Sequence, residues 1–584
     1  MEARRSTARA VRVLTLLSAL AAPVCFAGGG PHPVVASHAM VVSVQGLASE
    51  AGVQIMKSGG NAIDAAVATG FALAVVYPGA GNLGGGGFML IRTRNGEAHF
   101  LDFREMAPGA ATATLYQDRH GQVIPGASTV GFKAVGVPGS VKGLVYAEQH
   151  FGRLGLAQVM APAIRLAREG YVLSPGQARD MSTDKDLARF PDSRRIFQNG
   201  GKGWRAGARF RQPELARTLE RIAASPDDFY HGEMARQIAD FVHQGGGLIT
   251  TQDLANYQVK ERAPVRGKYR DLEILSAPPP SSGGTALIES LHILEGFDLK
   301  KAGLDSVQSI HLLSEAYRRA FLDRALFMGD PDFSNVPVAQ LTDEKYARAW
   351  RDSIEPERAT DSQTMRRPTL YPELDRYAAA HPLLAHSKEP TQTTHYSVVD
   401  SDGNAVAVTT TLNDDFGSRV SIGSLGFLLN DEMDDFAAKV GVPNMYGLLQ
   451  GPANAVGAHK RPLSAMTPTI VLKNDRLWLV LGAEGGPTII TTVANIILGV
   501  EDYGLDIQQA VNSPRIHQQW MPDRVDLEPG RFPPQTVSRL QAMGYTLTPS
   551  DMTGDAECIE IDVTGGERLG ATDGRNEEGH AVGY

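Results

Sequence analysis

The chain has 584 residues, 42% of them hydrophobic and 21% charged, which is enough to bury a large core and far from the composition of a disordered chain. Its formal net charge of −9 gives a nucleic-acid partner no electrostatic support. The 62 glycines and 34 prolines point to many tight turns, and only two cysteines are available for cross-linking.

Arg4, Arg5, Arg9 and Arg12 precede an apolar run from Val13 to Phe26, closed by Ala27 and three glycines. A charged start, a short apolar middle and a small residue at the end are the parts of a secretory signal, and the run is too short to span a bilayer between polar flanks. Cleavage is expected after Ala27, giving a periplasmic or secreted protein. Loss of four arginines and one glutamate then takes the net charge from −9 to −12. Val24 is a poor neighbour for a lipid anchor on Cys25. With Cys25 removed, Cys558 has no intramolecular partner and reads as a small core residue on the apparent strand "DAECIEID".

Beyond the signal, Leu47 to Lys57 and Ala62 to Val76 read as buried helices, the second capped by Asn61. "YPGAGNLGGGGFMLI" breaks that helix and feeds a strand, and "HFLDFREMAP" continues it as a second. The four glycines Gly84 to Gly87 lack the Gly-Lys-Ser/Thr of a phosphate loop and point to close backbone packing. Helical stretches alternate with loops over 137–260, and a helix-rich segment runs from about Leu287 to Phe327. From about Asp352 to Gln392 the chain is proline-rich and weakly periodic, which predicts a loop-rich surface connection. After Thr393 come short β-type runs, "THYSVVD", "AVAVTTTLN", "TPTIVLK" and "LWLVLG". Helices are predicted over "IITTVANIILGVEDYG", "DIQQAVNSP" and "VSRLQAMGY". Strands and helices without regular βαβ alternation predict a layered α+β fold.

One stretch raises a chemical question. In "EPTQTTHYSVVD" a polar, proline-marked segment turns into a β-branched run, and Asp402-Gly403 then marks a hairpin turn. Pairing about that tip makes opposed positions sum to about 805, so position 393 faces 411–413 to within one register step. Thr411 and Asn413 share a face because strand side chains repeat every two residues. A hydroxyl thus meets a hydroxyl and an amide at one end of a hairpin. Threonine-rich strands are common, so this is either a plain strand start or a nucleophile. A threonine hydroxyl needs a base, and one solution is the α-amine freed by cutting the preceding peptide bond. No H-E-x-x-H or paired-Cys spacing occurs, His395 belongs to no metal signature, and no cofactor is expected.

The motifs "TTHYSVVD", "LLND", "MDDF", "KRPLS" and "GGPTII", with "GGNAIDAAVA", "GGGGFML" and "LDFREMAP" earlier, occur in one order along the mature chain. Together they resemble the γ-glutamyltranspeptidase family of the N-terminal-nucleophile hydrolase superfamily. The resemblance implies a four-layer αββα sandwich and a precursor that cuts itself between Gln392 and Thr393. It therefore implies a signal of 1–27, a large chain of 28–392 and a small chain of 393–584, the two chains forming one intertwined unit. It further implies Thr393 as nucleophile, Thr411 as its hydrogen-bonding neighbour, and Gly485 and Gly486 as oxyanion donors. A Gly-Gly turn after a strand fits the same two residues. Arg104 and Ser464 would hold the substrate α-carboxylate, while Asp435, with Glu432 and Asn413, would hold its α-ammonium. Tyr446, in "GVPNMYGLLQGPAN", would close a lid.

Two positions depart from the family's common pattern: Ala465 stands where a second serine is frequent, and Glu484 where a small residue or proline is frequent. The implied activity is transfer or hydrolysis of γ-glutamyl groups from glutathione and related compounds, to water or to amino-acid and peptide acceptors. A glutaryl-type acylase of the same superfamily is the alternative, and Asp435 argues against it because a glutaryl group has no ammonium. An unprocessed binding protein on the same fold is disfavoured by the presence of Thr393, Thr411 and the glycine pair.

Overall fold

The computed structural model describes residues 30–381, 383, 393–445, 447–550, 554–562 and 564–584. Two large antiparallel sheets form its centre. The first has seven strands, in the order His580–Gly583, Met40–Ser43, Thr394–Val399, Ala405–Thr411, Gly86–Arg92, Ala98–Phe103 and Lys260–Arg262. The second has eight, among them Leu272–Ser276, Thr469–Lys473, Arg476–Leu481 and Asp555–Ile561, with the short strand Ala483–Glu484 paired to the last of these.

Strand alternation sorts the side chains into two cores. Tyr396, Val398, Val406, Val408, Met89 and Ile91 pack outward against the helices Gly46–Lys57 and Ala62–Val76. Val399, Ala405, Ala407, Phe88 and Leu90 point inward, toward the second sheet. The far face of that sheet is covered by the helices Gly283–Leu294, Val307–Phe327 and Thr488–Glu501. The result is helix, sheet, sheet, helix, as expected from the sequence. Full burial of each Val, Leu or Phe in these layers stabilises the fold by roughly 1.5–3 kcal/mol.

Local signals acted as read. Asn61 Oδ1 accepts from the backbone N–H of Ile63 and Asp64, and Asp64 returns a bond to the Asn61 N–H, a complete capping box. All 15 residues of that helix are buried, so it is apolar all round. Gly85 and Gly87 have no room for a Cβ, which would sit 2.0 Å from the Thr411 carbonyl oxygen and 2.4 Å from that of Thr409. Close packing, not phosphate binding, explains this run. Cys558 is buried on Asp555–Ile561.

The 352–392 segment differs from its loop-rich reading. It contains the helix Pro372–Ala380, started by proline at its first turn and pinned by buried Leu374. Leu374, with partly buried Tyr377 and Ala378, packs it on the core, too short a run for a periodic signal.

Among the described residues no helix is long and apolar enough to cross a membrane.

Candidate active site

The hairpin closes at the expected turn, with Gly403 at φ +87°. Its register pairs Thr394 with Thr410 and so sets Thr393 opposite Thr411, one step from the pairing read in the sequence. Strand alternation then separates the two threonines. Thr394 shares a face with Thr410, whose hydroxyl donates to the Gly86 carbonyl. Thr393 and Thr411 share the other face, which looks between the sheets and lines a pocket with ≈310 Å³ of empty volume. Thr391 and Gln392 lie outside the described residues.

Around Thr393 the pocket gathers residues from six separate segments: Arg104, Arg324, Asn413, Glu432 with Asp435, Ser464 with Ala465, and Gly486. The Thr411 hydroxyl accepts from the Asn413 N–H at 2.8 Å. Asn413 is left-handed, φ +86°, and its amide donates to the Asp431 carbonyl at 3.1 Å. Gly485 and Gly486 are also left-handed, φ +121° and +55°, and stand directly before the helix Thr488–Glu501. Gly486, Pro487 and Ile489 line the pocket, so the positive end of the helix macrodipole lies at its wall. Tyr446 lies outside the described residues, while Leu448 of the same segment lines the pocket.

His395 is fully buried between Thr409 Oγ1, 2.8 Å from Nδ1, and Ser397 Oγ, 3.1 Å from Nε2. Burial pushes it down to about 3, so it stays neutral and carries no charge switch near pH 7.

Arg104 is the electrostatic hub. Its Nη1 binds Glu432, its Nη2 binds Asp435 and the Leu463 carbonyl at 3.4 Å, and its Nε donates to the Pro462 carbonyl at 3.2 Å. Glu105 lies 3.6 Å from Nη1. The two carboxylates expected to wait for an ammonium thus already engage the guanidinium expected to wait for a carboxylate. Burial pushes all three acids up, and Arg104 opposes it. Burial raises Glu105 to about 7 against the pull of Arg104, and raises Glu432 well above the usual carboxylate range.

Ser464 is fixed by its backbone, donating to the Pro280 carbonyl at 2.9 Å and accepting from Ser282. Ala465 lines the pocket as a bare methyl. Glu484 turns away from it. Its carboxyl lines a second, polar cavity with Tyr77, Asp555 and Glu578, and burial pushes it well up, with Asp555 and Asp415 adding to the effect. Arg324 was not singled out in the sequence, because it lies in a helix whose pattern reads as core.

The acids behind the glycine pair make stability depend on pH. Burial, then Asp573, raises Asp555 to about 7. Below about pH 4 the carboxyl is protonated in folded and unfolded chain alike; above that the unfolded chain releases its proton first, so stability falls as pH rises toward about 7. Asp555→Asn removes this group, and its thermal midpoint is expected to drop less than the wild type's between about pH 4 and about pH 7. Parallel melting curves at these pH values check it; identical slopes would contradict the assignment. Among the described residues no group of three or more His, Cys, Asp or Glu side chains is arranged to hold a metal ion.

Comparison with known proteins agrees with this geometry. The chain is 47% identical over 566 residues to a glutathione hydrolase proenzyme of Pseudomonas sp. (strain A14), covering 94% of this chain and 95% of that one. It is 45% identical over 556 residues to the glutathione hydrolase proenzyme of Escherichia coli (strain K12), covering 95% and 93%. Among solved structures, the cephalosporin acylase from Bacillus halodurans superposes with a TM-score of 0.80 at 28% identity, over 98% of this chain and 99% of that one. The profile of the family described as Gamma-glutamyltranspeptidase matches residues 48–583. With that match over nearly the whole chain, the protein belongs to the γ-glutamyltranspeptidase family.

Proposed function

We propose that the protein is a self-processing γ-glutamyltransferase and hydrolase acting on glutathione and related γ-glutamyl compounds. The observation that carries this reading is the meeting of Thr393 and Thr411 in a pocket that also presents Gly486 at a helix start and the Arg104, Glu432 and Asp435 cluster. The precursor cuts between Gln392 and Thr393, leaving a large chain of 28–392 and a small chain of 393–584 after export and removal of 1–27. The central sheet draws adjacent strands from both sides of that point, so the two chains stay together after the cut.

The freed α-amine of Thr393 takes the proton from its own hydroxyl as Oγ attacks the γ-carbonyl carbon. The backbone N–H groups of Gly485 and Gly486 receive the developing oxyanion. Collapse of the tetrahedral intermediate breaks the amide, and the proton goes to the departing amine. The resulting γ-glutamyl ester is then attacked by water or by the amine of an amino acid or peptide, through the same steps in reverse order. Thr411 Oγ orients the nucleophile. Asp435 and Glu432 attract the α-ammonium, and Arg104 with Ser464 faces the α-carboxylate.

A γ-glutamyl group brings one charge of each sign, whereas a glutaryl group brings only a negative one to a pocket wall already holding Glu432 and Asp435. Asp435→Asn is therefore expected to lower kcat/KM for a γ-glutamyl anilide by roughly 10- to 100-fold, the effect of a lost hydrogen bond to a charged group. The rate on a glutaryl anilide should stay level or rise. Equal losses on both substrates would remove Asp435 from ammonium recognition, and a wild type that prefers the glutaryl anilide would make the protein an acylase.

A further inference from the structure

Arg104 has little left to offer a ligand. Four of its five N–H groups are spent on Pro462, Glu432, Asp435 and Leu463, which leaves one on Nη1, beside Glu105. A second guanidinium in the same pocket is in the opposite condition. Arg324 is 3% exposed, lines the cavity with Ser464 and Ala465, and among the described residues has its Nη1 buried without a hydrogen-bond partner. Its one side-chain bond is from Nε to Ser282 Oγ at 2.8 Å. That hydroxyl in turn donates to the Ser464 carbonyl at 2.7 Å, so Arg324 is tied to the segment that carries Ser464.

A buried guanidinium N–H without an acceptor is costly, and a carboxylate is the acceptor whose shape its fork fits. Burial lowers Arg324 to about 10, so it remains protonated at neutral pH, and Asp435 is the acid that acts to raise it. Ala465, which lines the same cavity, supplies no hydroxyl on this wall.

We infer that Arg324 is a substrate-binding residue whose Nη1 donates to the α-carboxylate of the γ-glutamyl group, on the side of the pocket where Ala465 offers no hydroxyl. This rests on the reading of the site given above. Ser282 acts as a positioning residue, holding the guanidinium through Nε.

The test compares Arg324→Gln and Arg324→Lys with wild type on three anilides. These are γ-glutamyl, glutaryl (which keeps the carboxylate and loses the amine) and 4-aminobutanoyl (which keeps the amine and loses the carboxylate). Arg324→Gln is expected to raise KM roughly 10- to 100-fold for the first two and to leave kcat/KM for the third within about 2-fold, as for one lost hydrogen bond to a charged group. Arg324→Lys should lie between. Gel analysis of the two-chain form and melting curves accompany the kinetics. Uniform loss on all three substrates, or no change on any, would overturn the assignment. If Arg324→Gln does not mature, Arg324→Lys decides by the same criterion, and failure of both to mature makes Arg324 a purely structural cation. A wild type without activity on the γ-glutamyl anilide would instead bring down the reading of the whole site.

Discussion

Thr393→Ala is expected to remain a single uncut chain and to lose γ-glutamyl transfer and hydrolysis by about 10⁴-fold or more, as for removal of a nucleophile in enzymes of this kind. In the proposed mechanism one side chain carries both effects, because the hydroxyl that attacks the Gln392 carbonyl is the hydroxyl that later attacks substrate. Denaturing gels of freshly purified wild type and variant, followed over time, read the first effect, and release of nitroaniline from the γ-glutamyl anilide reads the second. Thr393→Ser keeps an Oγ and should still divide the chain, more slowly. Thr394→Ala is the control, since Thr394 lies on the other face of its strand with Thr410. A Thr393→Ala protein that divides normally would end the proposed mechanism.

Substitution at the glycine pair should have the next largest effect. Gly485 adopts φ +121°, which L side chains rarely reach, and an added Cβ would sit 2.4 Å from Thr488 Oγ1 and 2.9 Å from Gly554 Cα. Thr488 cannot simply rotate away, because its hydroxyl donates to the Gly485 carbonyl at 2.8 Å and its N–H to the same oxygen at 3.1 Å. Gly485→Ala must therefore turn the peptide proposed to present the oxyanion donor. Loss of such a donor lowers kcat by roughly 100- to 1000-fold. KM should change little, since the donor acts on charge that develops only in the transition state. An unchanged kcat would show that the N–H groups of this turn are not the oxyanion donors; a large fall in thermal midpoint would assign the loss to folding instead.

The feature most legible in the sequence was the hairpin. Asp402-Gly403 fixes its turn and the two-residue period fixes which side chains share a face, so Thr411 and Asn413 could be placed beside position 393 without any tertiary information. The Asn61 cap, the fully apolar helix that follows it, and the glycine run before Phe88 were legible for the same reason: each is decided within a few residues. The helix Pro372–Ala380 was not, since buried Leu374 with partly buried Tyr377 and Ala378 make too short an apolar run to show a period, and propensity alone decides little. Nor was Arg324. It lies among residues that are nearly all buried in Val307–Phe327, and nothing in its neighbours distinguishes a guanidinium facing a pocket from one, such as Arg319, that is spent on Glu315.

What the sequence determined by itself is the set of parts: a nucleophile candidate at a strand start, a glycine pair at a helix start, an arginine and an acidic turn, in the order in which the family carries them. These follow from local rules and from motif order. The tertiary structure alone decided how the parts divide their hydrogen bonds. It turned Thr393 toward the pocket and Thr394 away, paired Arg104 with Glu432 and Asp435 across more than 300 residues of chain, set Glu484 into a different cavity, and left Arg324 with an unused donor. Such choices depend on which buried donor meets which buried acceptor when the two sheets close on each other. Burial makes each unmet donor costly, so the pairing is settled by the whole fold and not by any stretch of it.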